Sequence, residues 1–447
     1  MSTLPSAYRF PLRGAASSLL PEWLRMRIRL ARMLREWRGA DACSPCAQPP
    51  LPPSRLFIIP PDPRTPFGSR GDDAMLRSIV GTLRARRADL SVSMSTVSDG
   101  VVDAGERIHT VPETSTLAGF VEAIRRTRPD ALVLVGADVM DGHYGPLFTA
   151  RRLLAADLIA REGVPTVVTG FSFNSHPHPL LAGIFDALDK RVCLHVRDPL
   201  SLRRFRAFSR TPATLVADVA FLLEPDEASP RLGAIFDWIA ERRRGGQRVF
   251  GLNLHPALGG ADVSKGLASA AAAALTSISS SEPVAWLLLA HDFRNRTRCS
   301  DTLAEIERQA LGRPGVRLLR PTEELSAREL KAIVAKLDGV VCGRMHLAVA
   351  ALGQGTPVSC LTYQGKFDGL FEHFGLPPSL LMDPQQALRA GALESLLRAF
   401  VESADAHRQQ VARHWPQVRR LAAINLAPLL GAEVEVPTPD ALRESVV

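Results

Sequence analysis

The stretch LDGVVCGRMHLAVAALG, residues 337–353, decides the fold. Its first part is a short apolar run that predicts a buried strand, and its last part has the composition of a helix. Polar residues stand between the two, where the strand ends. In open parallel sheets, ligands bind beyond the carboxyl ends of the strands. The stretch therefore predicts an α/β fold with a binding site directly after this strand.

The same alternation of apolar runs and helical patterns extends over most of the chain. A first series of predicted strands comprises RLFIIP (55–60), DALVLVG (130–136), PTVVTGF (165–171), RVCLHVR (191–197) and TLVADVAFLL (214–223). A second series comprises RVFGLNLH (248–255), VAWLLLAHD (284–292), GVRLLRP (315–321), LDGVVCG (337–343) and TPVSCLTY (356–363). Such alternation is typical of parallel sheets covered by helices on both faces. We therefore expect two Rossmann-like parallel-sheet domains that face a cleft.

Composition shifts divide the 447 residues into four segments. Residues 1–54 are predicted to form a basic amphipathic helix and a Pro-rich linker. Residues 55–225 form an N-terminal α/β domain, and residues 226–384 form a C-terminal α/β domain. Residues 385–447 are expected to be C-terminal helices and a tail. The middle boundary rests on residues 225–246, which are polar and charged as domain boundaries often are.

The charge balance indicates an anionic partner. The chain has 54 Lys and Arg residues and 46 Asp and Glu residues, a net charge of +8. Six arginines lie among apolar residues at helical spacing within residues 20–38. This helix could lie on an anionic membrane surface, or it could pack on the protein or on a partner. Because the basic excess is concentrated there and no nucleic-acid motif occurs, nucleic-acid binding is disfavoured.

Several protein classes are excluded by the sequence. No segment has the roughly 18–20 consecutive apolar residues that span a bilayer, and the beginning lacks a signal-peptide pattern. Six cysteines are too few for a disulfide scaffold, and the Cys43 and Cys46 pair has no second pair to complete a zinc site. We therefore expect a cytoplasmic protein without a metal site, which its basic helix could hold at the inner face of the membrane.

Polar side chains follow four strands of the second series. They are Asn253 and His255, His291 and Asp292, Arg344 and His346, and Tyr363 with Lys366. Arg344 supplies a forked cation matched to phosphate or carboxylate, at the start of a helix that also favours anions. His346 can exchange a proton near neutral pH. One histidine after a strand is more often structural, but four polar strand ends at one edge predict a site.

The first series has its own polar strand ends. Gly71 and Asp72 lie in the loop after the first strand, which is neither a Walker loop nor a GxGxxG motif. A glycine turn followed by a helix cap explains this loop equally well. Asp138 follows the second strand. Arg197 follows RVCLHVR as a candidate anion clamp, and Asp198 is a candidate cap for the next helix.

Taken in order, six motifs resemble those of the polysaccharide pyruvyl transferase family. They are GDDAML (71–76), RDPLS (197–201), DVAF (218–221), HD (291–292), GRMH (343–346) and GTPV (355–358) with Tyr363 and Lys366. The resemblance covers about residues 55–376. It implies a GT-B-like fold and an enzyme that transfers the pyruvyl group of phosphoenolpyruvate to a sugar. The product is a pyruvate ketal, made in exopolysaccharide biosynthesis.

The resemblance also implies roles for the candidate residues. Arg197 and Arg344 would bind the two anionic groups of phosphoenolpyruvate, His346 would protonate its methylene carbon, and His291 is a candidate base. The remaining candidates for substrate binding are Lys366, Tyr363, Asp72, Asp138 and Asn253. No metal or cofactor is implied. The partners would be phosphoenolpyruvate and a sugar, lipid-linked saccharide or polysaccharide acceptor.

The chain departs from the family pattern in its first half. Gly136-Ala137-Asp138 stands where the family has a Gly-Gly-Gly run. The aspartate could bind sugar hydroxyls, or it could mark a different substrate. Two other functions stay open from the residues. One is a GT-B-type glycosyltransferase whose Arg and Lys residues hold a nucleotide sugar. The other is a non-catalytic sugar-binding protein that keeps the fold.

Overall fold

A computed structural model describes residues 21–40, 51–97, 107–255, 260–293, 299–362 and 365–431. It divides into two compact units. Unit 1 is drawn from Met1–Pro66, Thr82–Val216 and Asn425–Val434, and unit 2 from Phe67–Gly81, Ala217–Ile424 and Glu435–Val447. Each unit contains one parallel sheet with helices, so the predicted α/β class with two Rossmann-like sheets is confirmed. Cys43, Cys46, Tyr363 and the predicted tail after residue 431 lie outside the described residues.

Unit 1 is built on a seven-stranded parallel sheet. Its strands are β1 (Arg55–Ile59), β2 (Ser91–Thr96), β3 (Ile108–Pro112), β4 (Ala131–Leu134), β5 (Thr166–Phe171), β6 (Val192–Val196) and β7 (Thr214–Leu215). They are ordered β3-β2-β1-β4-β5-β6-β7. The central strands β4 and β5 are buried along their whole length, which explains their unbroken apolar sequence.

Six helices accompany these strands along the chain. They are α1 (Glu22–Arg38), α2 (Arg70–Arg84), α3 (Leu117–Arg126), α4 (Pro146–Arg161), α5 (Ala182–Phe185) and α6 (Pro199–Phe208). Most residues of helix α4 are buried in the core of unit 1, and these include Arg151, Arg152 and Asp157 as well as its apolar side chains. Asp198 caps α6, its carboxylate accepting a hydrogen bond from the backbone N–H of Ser201 at 2.7 Å.

The basic helix α1 packs on unit 1 through its C-terminal half. Trp37 is buried, and its indole N–H donates to the carboxylate of Asp157 in α4 at 2.6 Å. Three further apolar side chains of α1 pack against the same core: Leu30, Met33 and Leu34. Trp23 and Ile28 remain exposed near the other end. The helix thus packs on the protein, and the membrane contact predicted for residues 20–38 stays a prediction.

Unit 2 is built on a six-stranded parallel sheet. Its strands are β8 (Arg248–Asn253), β9 (Val284–Leu288), β10 (Leu318–Leu319), β11 (Gly339–Cys342), β12 (Val358–Leu361) and β13 (Leu381–Met382), in the order β10-β9-β8-β11-β12-β13. Its helices are α7 (Gly233–Arg244), α8 (Gly260–Ser281), α9 (Cys299–Ala310), α10 (Ala327–Val334), α11 (Met345–Leu352), α12 (Asp368–Phe374), α13 (Pro384–Ala387) and α14 (Ala392–Ile424). Helix α15 (Ala427–Leu430) follows, in the last segment of unit 1. None of the helices in the described part of the chain has the length and apolar character that a membrane crossing requires.

An early segment of the chain, Phe67–Gly81, belongs to unit 2. Ser69 forms an antiparallel bridge with Asp292, and the backbone N–H of Arg70 donates to His291 O at 3.2 Å. Asp73 accepts a hydrogen bond from the backbone N–H of Ala327 at 3.0 Å. Through these pairings, residues 70–81 of α2 pack in unit 2.

The predicted boundaries differ from the two units for this reason. Sequence patterns report local elements, whereas unit membership depends on long-range pairings. The segment Phe67–Gly81 and residues 217–225 were expected in the N-terminal domain but pack in unit 2. The long helix α14, expected to lie outside both domains, is also part of unit 2.

One predicted strand, TLVADVAFLL, is wrong beyond its first residues. Only Thr214–Leu215 is strand, and a 3-10 helix forms at Val219–Leu222. Asp218 causes the change, because its carboxylate accepts a hydrogen bond from the backbone N–H of Ala220 at 2.9 Å. A capping aspartate of this kind ends extended structure.

Candidate active site

The carboxyl ends of three neighbouring strands bring polar side chains together in unit 2. The strands β9, β8 and β11 are adjacent in the sheet. They are followed by His291 and Asp292, by His255, and by Arg344 and His346 respectively. Parallel strands end at one edge of a sheet, so residues far apart in sequence meet there.

Arg344 is held by two buried groups. One of its terminal nitrogens, Nη2, donates to the Asp292 carboxylate and also contacts Nε2 of His255. Asp292 and His255 are both buried, and Nε2 of His255 lies 4.0 Å from Oδ2 of Asp292. A buried carboxylate fixes the guanidinium in place. The Nε of Arg344 is buried and has no hydrogen-bond partner among the described residues.

His346 lies in the first turn of α11, directly after Arg344 at the helix N-cap. Its Nε2 is 3.4 Å from Oδ2 of Asp218 but makes no hydrogen bond within the described structure. The other side of the ring lies on Gly71. A Cβ atom at residue 71 would overlap the imidazole, standing only 2.7 Å from its Cγ. Glycine at this position is therefore what allows the imidazole to occupy its site.

His291 is an uncharged histidine beside these groups. Burial lowers its pKa well below the usual value of 6.5, and the positive charges of Arg344, His346 and Arg70 lower this pKa further. The nearby Asp292 opposes the shift. At neutral pH the ring is thus neutral. Its Nδ1 atom is buried without a hydrogen-bond partner among the described residues.

A pocket in unit 2 is lined by these histidines and two further cations. Arg70, Lys331, His291 and His346 supply its polar lining. Its apolar lining comprises Ala74, Ala220, Leu223, Ala327, Leu330, Val349 and Ala350. Lys331 is almost fully buried, and its Nζ donates to the backbone carbonyl of Phe221 at 2.9 Å. Burial lowers the pKa of Lys331 from 10.5 to about 8.

Three predicted site residues of unit 2, Asn253, Asp72 and Lys366, lie at different depths. Asn253 is fully buried, and its Nδ2 donates to Leu289 O at 2.7 Å, which ties β8 to the chain after β9. Its Oδ1 has no partner among the described residues. Asp72 in α2 and Lys366 after β12 are half-buried, while Tyr363 lies outside the described residues. The roles predicted for all four stay predictions.

Two predicted site residues, Arg197 and Asp138, belong to unit 1. Arg197 follows β6 and is buried, with its Nε donating to the hydroxyl of Ser172 at 2.7 Å. Asp138 follows β4 and is half-buried. It accepts a hydrogen bond from the hydroxyl of Tyr144 at 3.2 Å. Just before it, Ala137 has a φ of 46°, a left-handed conformation that glycine adopts more easily.

The order of these residues along the chain is matched by a family model. The model of the family "Polysaccharide pyruvyl transferase" matches residues 61–365, more than half of the chain. The chain belongs to this family. The match confirms the family resemblance that the sequence motifs indicated. The protein is therefore an enzyme of the polysaccharide pyruvyl transferase kind. A comparison with curated protein sequences gives no match.

Solved structures similar to this pyruvyl transferase family member share its fold. One is a putative UDP-N-acetylglucosamine 2-epimerase from Listeria monocytogenes, with a TM-score of 0.53 and 16% identity over 87% of this chain and 98% of that one. A UDP-GlcNAc 2-epimerase from Neisseria meningitidis has a TM-score of 0.51 and 10% identity, and the match covers 85% of this chain and 100% of that one. Anabaena HepE in complex with UDP-glucose has a TM-score of 0.50 and 14% identity, and the match covers 84% of this chain and 98% of that one. These structures confirm the predicted GT-B-like fold.

The structure adds residues that the sequence did not mark as site residues. Asp218 and Asp292 lie inside two of the family motifs, so a signal for them was present. His255 was noted only as a polar strand end. Arg70 stands in the predicted loop after the first strand and Lys331 in a helical pattern, and nothing in either place distinguishes them from surface cations. Only the three-dimensional structure places them beside His346.

Proposed function

We propose that this enzyme transfers the pyruvyl group of phosphoenolpyruvate to a sugar and forms a pyruvate ketal, as a step of exopolysaccharide synthesis. The observation that carries the proposal is the pairing of Arg344 and His346 at the end of β11. A fixed guanidinium and a histidine with an unpartnered ring nitrogen lie two residues apart. A phosphorylated enol acid needs both, one to bind an anionic group and one to donate a proton.

The proposed reaction begins with proton transfer to carbon. His346 donates a proton to the methylene carbon of phosphoenolpyruvate, which becomes a methyl group, and positive charge develops on the adjacent carbon. A first sugar hydroxyl adds to that carbon. A second hydroxyl then replaces the phosphate, which leaves with the electrons of its carbon–oxygen bond. One hydroxyl proton restores His346 and the other leaves with phosphate, so the reaction balances without a cofactor.

His291 suits the movement of a hydroxyl proton in this sequence. Its ring is neutral because burial and nearby cations lower its pKa. The unpartnered Nδ1 can accept a hydrogen bond from a sugar hydroxyl. Because a low pKa makes the ring a weak base, the proton passes onward to the more basic departing phosphate rather than staying on the ring.

The acceptor side of the proposal rests on unit 1. A sugar, a lipid-linked saccharide or a polysaccharide presents hydroxyl groups, and carboxylates accept hydrogen bonds from them. Asp138 with its partner Tyr144 stands at the end of β4. Arg197 stands at the end of β6, where its charge favours an anionic group. We propose that Asp138 and Tyr144 help to bind the acceptor, and that Arg197 binds an anionic group of a substrate.

The direct test is incubation of the protein with phosphoenolpyruvate and candidate lipid-linked or nucleotide-linked sugars. Phosphate release and ketal formation are followed together. Equal amounts of both products are expected. Turnover of a nucleotide sugar, with none of phosphoenolpyruvate, would instead establish a glycosyltransferase.

Replacing Arg344 with Ala is expected to raise the KM for phosphoenolpyruvate about 10- to 100-fold. The loss corresponds to one charge-assisted hydrogen bond, about 1.5–3 kcal/mol. Arg313→Ala is the matched control, because Arg313 is an exposed arginine of the same unit outside the pocket. Equal KM values for Arg344→Ala, Arg313→Ala and the wild-type enzyme would contradict the assignment of Arg344.

A further inference from the structure

Arg70 is a buried arginine that lies next to the groups proposed for catalysis. It directly precedes Gly71, on which the ring of His346 lies. Its backbone N–H donates to the carbonyl oxygen of His291 at 3.2 Å. Its side chain lines the same pocket as His291 and His346, with only 13% of its surface exposed. The guanidinium is thus part of the pocket that contains the proposed proton donor.

Neutral groups hold the Arg70 side chain in place. Its Nε donates to Leu325 O at 2.5 Å, and its Nη1 donates to Phe67 O at 3.2 Å. The guanidinium carbon also lies 4.5 Å from the centre of the Phe293 ring. These contacts fix the orientation of the guanidinium without neutralising its charge. Such a fixed group loses little conformational freedom when a ligand binds.

The charge of Arg70 is balanced less closely than that of its neighbours. Arg344 donates directly to Asp292, and Arg77 pairs with Asp73 at 2.5 Å. Two carboxylates chiefly act on the Arg70 charge. Asp73 is the stronger of them but pairs directly with Arg77, and Glu324 lies 4.0 Å from Arg70 with a side chain that is 60% exposed. Water weakens an ion pair of the second kind. An arginine remains charged even when largely buried, and a shared and a solvated carboxylate compensate that charge only in part.

An anionic ligand would add to the counter-charge that Asp73 shares with Arg77 and that Glu324 supplies from an exposed position. Resting on the function proposed above, we propose that Arg70 is a second anion clamp in unit 2. By this we mean a second arginine, besides Arg344, that binds an anionic group of the substrate. It binds one of the two anionic groups of phosphoenolpyruvate, phosphate or carboxylate, and Arg344 binds the other. Both groups of the donor are then held within unit 2.

The test uses the full chain and the variants Arg70→Met, Arg70→Gln and Arg70→Lys. The Met and Gln variants are expected to raise the KM for phosphoenolpyruvate about tenfold, and to weaken product inhibition by inorganic phosphate or competition by a simple carboxylate. If inhibition by inorganic phosphate weakens, Arg70 binds the phosphate group of the donor. If competition by the simple carboxylate weakens, Arg70 binds the carboxylate group. The Lys variant keeps the positive charge but lacks the planar guanidinium that can donate two parallel hydrogen bonds. Its KM is therefore expected to lie between those of wild type and of the Met and Gln variants.

Arg328→Met is the matched control. Arg328 is an exposed arginine of the same unit whose Nε also donates to a backbone carbonyl, that of Glu224 at 3.2 Å, but it does not line the pocket. This variant should keep wild-type KM values. Thermal unfolding of every variant checks that unit 2 is intact. If Arg70→Met unfolds early, the comparison rests on Arg70→Gln and Arg70→Lys.

The outcomes separate this proposal from the proposed function. If the wild-type protein turns over phosphoenolpyruvate and the Arg70 variants match Arg328→Met, the second clamp is refuted and the function stands. If the wild-type protein does not turn over phosphoenolpyruvate, the function fails. Calorimetric titration with inorganic phosphate and with a simple carboxylate then tests Arg70 alone. Equal affinities for both anions in wild type and Arg70→Gln would overturn the clamp.

Discussion

Replacing Gly71 with Ala is expected to lower kcat at least 100-fold while the protein stays folded. The added methyl group would occupy the space of the His346 ring, 2.7 Å from its Cγ and 3.0 Å from its Cε1. Gly71 lies in the first turn of α2 with an ordinary helical backbone, so alanine itself causes no strain there. The imidazole must therefore rotate away. A misplaced general acid loses about as much rate as a deleted one, 10²- to 10⁴-fold.

Gly81→Ala is the control for this substitution. Gly81 lies in the same helix α2 and is exposed, and a Cβ there would meet no atom of the described structure within 4 Å. The change should leave kcat unaltered and raise stability by up to about 1 kcal/mol, because alanine favours helix. Steady-state kinetics and thermal unfolding of both variants make the comparison. A Gly71→Ala enzyme as active as Gly81→Ala would mean that His346 has no role where the structure places it.

A double variant identifies the cause of the loss. If Gly71→Ala acts by displacing the imidazole, adding it to His346→Asn should cost little more, since the ring is already absent. Two independent losses would multiply instead. The His346→Asn variant alone should match Gly71→Ala in kcat within a small factor.

The sheet could be predicted from the sequence where its strands are buried on both faces. The strands β1, β4, β5, β8, β9, β11 and β12 all coincide with predicted apolar runs. Strand β2, with the sequence SVSMST, lies among polar residues and was not predicted. Strands β7 and β10 have only two residues each and lie inside longer predicted runs, TLVADVAFLL and GVRLLRP, whereas β13, also of two residues, was not predicted. Apolar burial rather than strand propensity was the readable signal.

The candidate site could be predicted only as far as strand ends allow. His291, Arg344 and His346 meet because parallel strands end at one edge, and this rule needs no coordinates. Gly71 and Arg70 reach the same place through the bridge between Ser69 and Asp292. That pairing joins residues more than two hundred positions apart and has no local signature. The sequence therefore predicted Arg197 as a second cation, which stays a prediction, and gave no sign that Arg70 lies in the same pocket as His346.

The second large effect concerns Lys331 and the pH dependence of stability. Burial lowers the pKa of this lysine to about 8 in the folded protein, from 10.5 when exposed. Below about pH 8 the amine is protonated in both states, and the full cost of the buried charge, about 3 kcal/mol, is present. Between about pH 8 and 10.5 the unfolded chain binds more protons than the folded one. The free energy of unfolding therefore rises with pH over this window.

Lys331→Met removes the titrating group and leaves the Phe221 carbonyl without its donor. The missing hydrogen bond adds a cost that does not depend on pH, so the pH trend is the decisive quantity. From about pH 7 to about pH 9.5, wild type should gain about 2 kcal/mol relative to the variant. At about 2–4 °C per kcal/mol this is a relative Tm increase of about 4–8 °C.

Lys336→Met provides the comparison for this trend. The Lys336 side chain is 42% exposed, and its amine pairs with Glu227, whose side chain is itself half exposed. Removing this amine should therefore shift Tm by a small amount that hardly changes over the same pH range. Parallel Tm curves for wild type and Lys331→Met would show that the buried lysine titrates as an exposed one. A gain of wild type relative to Lys331→Met toward high pH, whether the two curves converge, cross or diverge, places a buried ammonium group in the wall of the pocket. At neutral pH that charge adds to the attraction of the pocket for an anionic donor. Keeping the buried amine charged lowers the stability of the folded protein.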